Sequence, residues 1–195
     1  VANGHINPQV DAHPFGVTYA ESPFLFRNLG NGTFSEIGNH SGPDLKKPHV
    51  ARGLITADFL NSGKLDVLLT VLDGSPVLLR NQTSSTGHWL TIKTIGTRSN
   101  RDGFGARVEV TAGNLVQADE VRGNSSFESA SDRRLHFGLG KATRVDSIVI
   151  HWPSGKVDQV KNEIADRELV IEEGKGVVSR SSSPPASSHP TASAA

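Results

Sequence analysis

Two aspartates bracket a glycine-bearing turn in the segment Asp58-Phe59-Leu60-Asn61-Ser62-Gly63-Lys64-Leu65-Asp66. Hard oxygen donors on a short loop suit a divalent cation, or equally a turn closed by its own hydrogen bonds. Eight histidines are scattered along the chain. None stands two or four residues from another, the spacings that put two imidazoles on one strand or helix face toward a metal. His136 lies in Leu135-His136-Phe137-Gly138-Leu139-Gly140 and His151 in Ile150-His151-Trp152-Pro153-Ser154-Gly155, where the two could approach each other across strands. Hydrogen-bonded sheet histidines are the plainer reading. Acyl-transfer chemistry has no support, because there is no cysteine and no G-x-S-x-G elbow. Gly103-Phe104-Gly105 and Gly138-Leu139-Gly140 open no helix that could hold an anion, so they read as turns or bulges. A recognition rim is conceivable at Asn100, Arg101, Asp102, Arg122 and Asn124, polar residues on loops of a β scaffold. Asn31, Asn39, Asn81 and Asn124 sit in N-x-[ST] sequons, which matter only in a glycosylating host.

The elements that position these residues are strands. Leu90 and Ile92 face one way, and Thr91 and Lys93 the other, as a half-buried strand requires. Ala106, Val108 and Val110 oppose Arg107, Glu109 and Thr111 in the same way, and Gly113-Asn114 turns the chain into Leu115–Val121. Ser147–Val160 reads as a second hairpin, with Ile148, Ile150 and Trp152 on one face and Pro153-Ser154-Gly155 as its turn. Glu168–Glu172 is predicted as the last strand. Phe104, Phe127, Phe137 and Trp152 are predicted as core. No helical period persists anywhere in this region.

An internal repeat organises the first part. Ser22-Pro23-Phe24-Leu25-Phe26-Arg27-Asn28 returns 53 residues later as Ser75-Pro76-Val77-Leu78-Leu79-Arg80-Asn81, identical at five of seven positions. A period near fifty residues is characteristic of propeller blades, although a hairpin duplicated inside one sandwich would leave the same trace. Gln82–Gly87 reads as a linker. From Lys175 the composition turns to Ser, Pro and Ala, too apolar-poor to offset its ordering entropy, which predicts a disordered tail over 175–195.

Bulk properties narrow the function classes. With 20 basic and 20 acidic residues interspersed over 195, no basic face invites a phosphate backbone, which argues against nucleic acid. The longest apolar run, Val67–Leu72, is broken by Thr70 and too short to enter a bilayer. Without cysteine there are no disulfides and no thiolate metal site. The chain starts at Val1 and contains no methionine, so it reads as the C-terminal piece of something longer.

The run Ser99-Asn100-Arg101-Asp102-Gly103-Phe104-Gly105, then Glu120-Val121-Arg122-Gly123-Asn124-Ser125-Ser126-Phe127, then the two histidine motifs, resembles the ASPIC/UnbV module. The strand–loop–strand from Gly53 to Val71, with Ala2-Asn3-Gly4-His5-Ile6 and Leu25–Phe34, resembles the last one or two blades of an FG-GAP (VCBS) propeller. These resemblances imply an all-β chain: partial propeller blades over 1–82, a β-sandwich or open-barrel domain over 88–174, and the tail. Calcium loops of FG-GAP blades resemble D-x-[DN]-x-[DN]-G-x-x-D, which maps the metal ligands onto Asp58, Ser62, the Lys64 carbonyl and Asp66. Leu60 stands where an oxygen ligand is needed, and the Lys64 ammonium would face the cation, so a metal-free turn is the alternative. The resemblances imply a secreted or periplasmic, non-catalytic module recognising a protein or glycan. The rival is an accessory or catalytic component of a bacterial biosynthetic or hydrolytic enzyme.

Overall fold

The computed structural model describes residues 1–14, 16–84 and 87–182. It is mostly β, with 13 strands and three short 3-10 turns among the described residues. Two compact units emerge. Among the described residues the first comprises 1–57, 65–82 and 124–131, and the second 58–64, 83–123 and 132–182.

In the first unit, β1 (Phe26–Asn28) pairs with β2 (Phe34–Glu36). β3 (Ala51–Ala57), β4 (Asp66–Val71) and β5 (Val77–Leu79) form an antiparallel sheet. The two repeat copies share a local arrangement. Phe24 exchanges both backbone hydrogen bonds with Val1, and its counterpart Val77 pairs antiparallel with Leu69. An edge strand leaves N–H and C=O groups open to unwanted pairing. On β3 these are met by serines: the Ser126 and Ser131 hydroxyls accept from the N–H groups of Leu54 and Thr56, and Ser129 donates to the Leu54 carbonyl. Phe127, expected in the core, is 62% exposed, because it sits in this serine-anchored segment.

The second unit packs two four-stranded sheets around one core. One sheet runs β11 (Val157–Ile164), β10 (Arg144–His151), β7 (Arg107–Ala112), β8 (Leu115–Glu120), all antiparallel. The other runs β13 (Gly176–Ser182), β12 (Arg167–Glu172), β6 (His88–Ile95), β9 (Leu135–Gly140). The predicted alternation holds on β7 and β10, where Val108, Val110, Ile148 and Ile150 have no exposed surface, and Trp152 is buried beside them. Facing them from the second sheet are Leu90, Ile92, Phe137, Leu169 and Ile171. Each such side chain contributes about 1.5–3 kcal/mol of burial. Phe104 packs against the same core, partly buried.

Two expectations need correction. Glu168–Glu172 is not the last strand: Gly176–Ser182, assigned to the structureless tail, continues as β13. It is held by backbone pairing to β12, by Val177 against the core, and by a two-point contact from Arg180 to the buried Glu163 carboxylate, at 2.6 and 3.0 Å. The rest of the predicted tail, 183–195, lies outside the described residues, as do Ser85 and Thr86 of the linker. Gly138-Leu139-Gly140 ends β9 at a register shift, with His88 opposite Gly140 and Trp89 opposite Gly138, which matches the bulge reading. His136 and His151 stand on strands of different sheets, His136 paired with Thr91 and His151 with Arg107 and Val157.

The residues of the glycine-bearing motifs build architecture. Glu173, just past β12, is 2% exposed. One carboxylate oxygen accepts the N–H groups of Thr97, Arg98 and Ser99, each at 2.8 Å, and the other accepts the hydroxyls of Ser99 and Ser154. Burial alone would raise its pKa, but the Ser154 hydroxyl and these three amides outweigh burial and hold the carboxyl well below its usual range. It pins the β6–β7 loop to the Pro153-Ser154-Gly155 turn. Gly103 in that loop has φ +75°, and a Cβ there would lie 2.3 Å from the Thr94 hydroxyl.

Candidate functional site

Side chains on one face of a sheet line up across its strands. Register therefore places Ser181, Glu168, Thr91 and His136 in a row across all four strands of the β13-β12-β6-β9 sheet. Leu90, Ile92, Leu135, Phe137, Leu169 and Ile171 take the opposite face, into the core. The row belongs to the outer face, which an open sheet would leave solvated. Thr91 is nevertheless 5% exposed. The reason is the segment Asp58–Lys64, which belongs to this unit and covers part of that face. A Cβ on Gly63 would lie 2.1 Å from the Trp89 Nε1, so only glycine, here at φ +82°, lets the turn close on the indole.

A cavity of about 350 Å³ opens here, lined by Asp58, Asn61, Trp89, Thr91, Arg134, Glu168, Ser181 and Ser182. Arg134 is its hub. Its Nε and Nη2 donate to Asp132 Oδ2 at 2.8 and 2.5 Å, and Nη1 donates to Asn61 Oδ1 at 2.6 Å and Glu168 Oε2 at 2.8 Å. A long 3.5 Å contact from Nη2 meets the Asp58 carbonyl. The Asp132 hydrogen bonds, reinforced by Glu168, raise the guanidinium pKa further against the effect of burial. Arg134 is thus saturated, and what it presents to the cavity is rigidity rather than free donors.

His136 lies beneath, its ring stacked on Trp89 with centroids 5.9 Å apart and planes 12° apart, and its Nδ1 3.3 Å from the Thr91 hydroxyl. Burial lowers its pKa first of all; Asp58 and Asp132 pull upward and Arg134 downward. The imidazole therefore stays neutral near pH 7.

The residues expected to hold a metal are engaged otherwise. Asp58 accepts the N–H groups of Ser62 at 2.9 Å and Gly63 at 2.6 Å, closing the turn on itself. Lys64 donates from its ammonium to the Thr83 carbonyl at 2.7 Å. Asp66, in the first unit, accepts the Asn81 N–H at 2.7 Å and pairs with Arg80 at 3.3 Å. Among the described residues no three carboxylates or histidines converge as a metal cage. This donor set fits a hydrogen-bonded turn better than a calcium site.

The expected rim divides. Asn100 accepts the Asp102 N–H, Asp102 pairs with Arg133 at 2.6 Å, Arg101 is exposed, and Arg122 pairs with Asp119 at 3.3 Å, all in the second unit. Asn124 belongs to the first unit, where it accepts the Ser126 N–H. None of the five lines the cavity. Sequence reasoning singled out Asp58 for calcium, but passed over Asn61, Trp89, Arg134 and Glu168. A signal existed: Trp89, Thr91 and Glu168 fall on the non-core parity of their own strands.

No helix among the described residues is long and apolar enough to cross a membrane. A search of curated proteins finds no match to the chain. Residues 96–178 match the family model described as ASPIC and UnbV, a segment that carries Arg134, His136, Glu168 and Glu173 but neither the Asp58–Lys64 turn nor Trp89.

Proposed function

We propose that this chain is a non-catalytic recognition module and that the cavity around Arg134 receives its ligand, a glycan or the glycan-like face of a partner. The observation that carries this reading is the cavity itself: hydrogen-bonding groups from three strands, the approach to a fourth and a turn, fixed by a saturated guanidinium beside an indole. Small-ligand sites commonly combine such a volume with a few fixed polar groups. Glycosidic cleavage calls for one carboxyl kept protonated near neutral pH and a second kept ionised. Here both oxygens of Asp58 accept amides of its own turn, and one oxygen of Glu168 accepts from Arg134.

The enzyme reading keeps one specific observation in its favour, since Asp58 and Glu168 line the same cavity. We also read the first unit as terminal FG-GAP blades, supported by the matched pairing of Phe24 and Val77 in the two copies. A secreted or periplasmic setting rests on the family resemblance. Binding to a glycan array, with mass analysis of the retained saccharides, tests the function. Intact saccharides, lost from the Glu168→Ala variant, support recognition; cleaved products would transfer the site to hydrolysis.

A further inference from the structure

The charge balance of the cavity narrows its ligand class, provided that the cavity is a recognition site as proposed. The lining holds two carboxylates, Asp58 and Glu168, against one guanidinium, which also pairs with the Asp132 carboxylate, and His136 is neutral beneath them. The other cations of the adjoining strands and loops, Lys93, Arg167 and Arg180 as well as Lys64 and Arg133, line no part of the cavity. The Lys64 ammonium is spent on the Thr83 carbonyl, and Arg133 pairs with Asp102 and lies 5.4 Å over the Phe104 ring. Negative charge is therefore in excess in a partly enclosed site.

The groups left for a ligand are mixed donors and acceptors. Arg134 uses its donors within the chain, so an anionic ligand would find no free guanidinium. The groups that remain are the second Glu168 oxygen, the Asn61 amide N–H groups and the hydroxyls of Ser181 and Ser182, none of which has a hydrogen-bond partner among the described residues. A ring bearing several hydroxyls satisfies such a mixture, and a volume of about 350 Å³ is at the monosaccharide end of ligand cavities.

We infer that the cavity selects a sugar carrying a protonated amine, with the free Glu168 oxygen opposing the ammonium and with Asn61 and the two serines meeting ring hydroxyls. Anionic sugars are excluded by the same surplus of negative charge.

Calorimetric titration of the whole chain with 2-amino hexoses (glucosamine, galactosamine, mannosamine), their neutral parents and the corresponding 6-phosphates tests this. At least one amino hexose should bind about tenfold more tightly than its parent, and the phosphates more weakly than the parent. The gap should narrow as salt rises. Glu168→Gln, whose melting temperature confirms that it folds, should bring amine and parent within about threefold. Equal affinity for amine and parent, or a preference for phosphate, overturns the charge selection and leaves recognition standing. Failure of every sugar here and on the array overturns both.

Discussion

The second unit holds two acidic centres that differ in what satisfies them. At Glu173 every donor comes from the chain: three backbone amides and two hydroxyls close on one buried carboxylate. At Arg134 a single guanidinium pairs with the Asp132 and Glu168 carboxylates beside a cavity that Glu168 and Asp58 line. The first centre fixes a loop to a turn and has nothing left to offer a ligand. In the second, the chain leaves groups unfilled, the second Glu168 oxygen among them, and those are what a ligand can use. A buried carboxylate is therefore no sign of function by itself; its unfilled oxygens are.

Substitutions separate the two centres. The largest stability loss is expected for Arg134→Ala, which strands Asp132 and Glu168 beside each other and should cost about 2–4 kcal/mol, read as the urea midpoint. Gly63→Ala comes next, at roughly 2–3 kcal/mol, because the new methyl meets the Trp89 face at a positive φ. Its loss should come with a change in Trp89 fluorescence, a readout that Glu173 variants leave unmoved.

Acid should distinguish the centres by pH window. Glu173 has its folded pKa depressed, so its stabilisation is complete above the unfolded carboxyl value of about 4.5 and drains away as pH falls below that. His136 also has a lowered folded pKa, but as a base. The unfolded chain takes up its proton first, so stability declines as pH drops below about 6.5. Melting curves of His136→Asn should be flatter between about pH 6.5 and 5 than those of the parent, and Glu173→Gln flatter only below about pH 4.5. The smallest effect belongs to calcium: millimolar calcium should leave the melting temperature unchanged, and a clear rise would restore Asp58 and Asp66 as ligands.

The sequence made the strands legible where one face is apolar and the other is not. Val108, Val110, Ile148 and Ile150 announced their burial by simple alternation. It did not reveal the parallel pairing of β6 with β12, because local pattern carries no information about a partner some 77 residues away. β13 was missed because Gly-Val-Val-Ser-Arg-Ser-Ser blends into the serine-rich stretch after it, and its anchor, the Arg180–Glu163 contact, joins two distant strands. The cavity was hidden for the same reason. Its residues come from positions between 58 and 182, and only the register of four strands brings Ser181, Glu168, Thr91 and His136 abreast. The turn at Asp58–Gly63 was visible, but its partner, the Trp89 ring, was not.

Amide chemical-shift mapping with the saccharide that binds most tightly on the array tests the site most directly. The account predicts shifts at Asn61, Thr91, Glu168 and Ser181, with Thr97, Arg98 and Ser99 unmoved around Glu173. Shifts centred on the Thr97–Ser99 loop, or on the first unit alone, would contradict it.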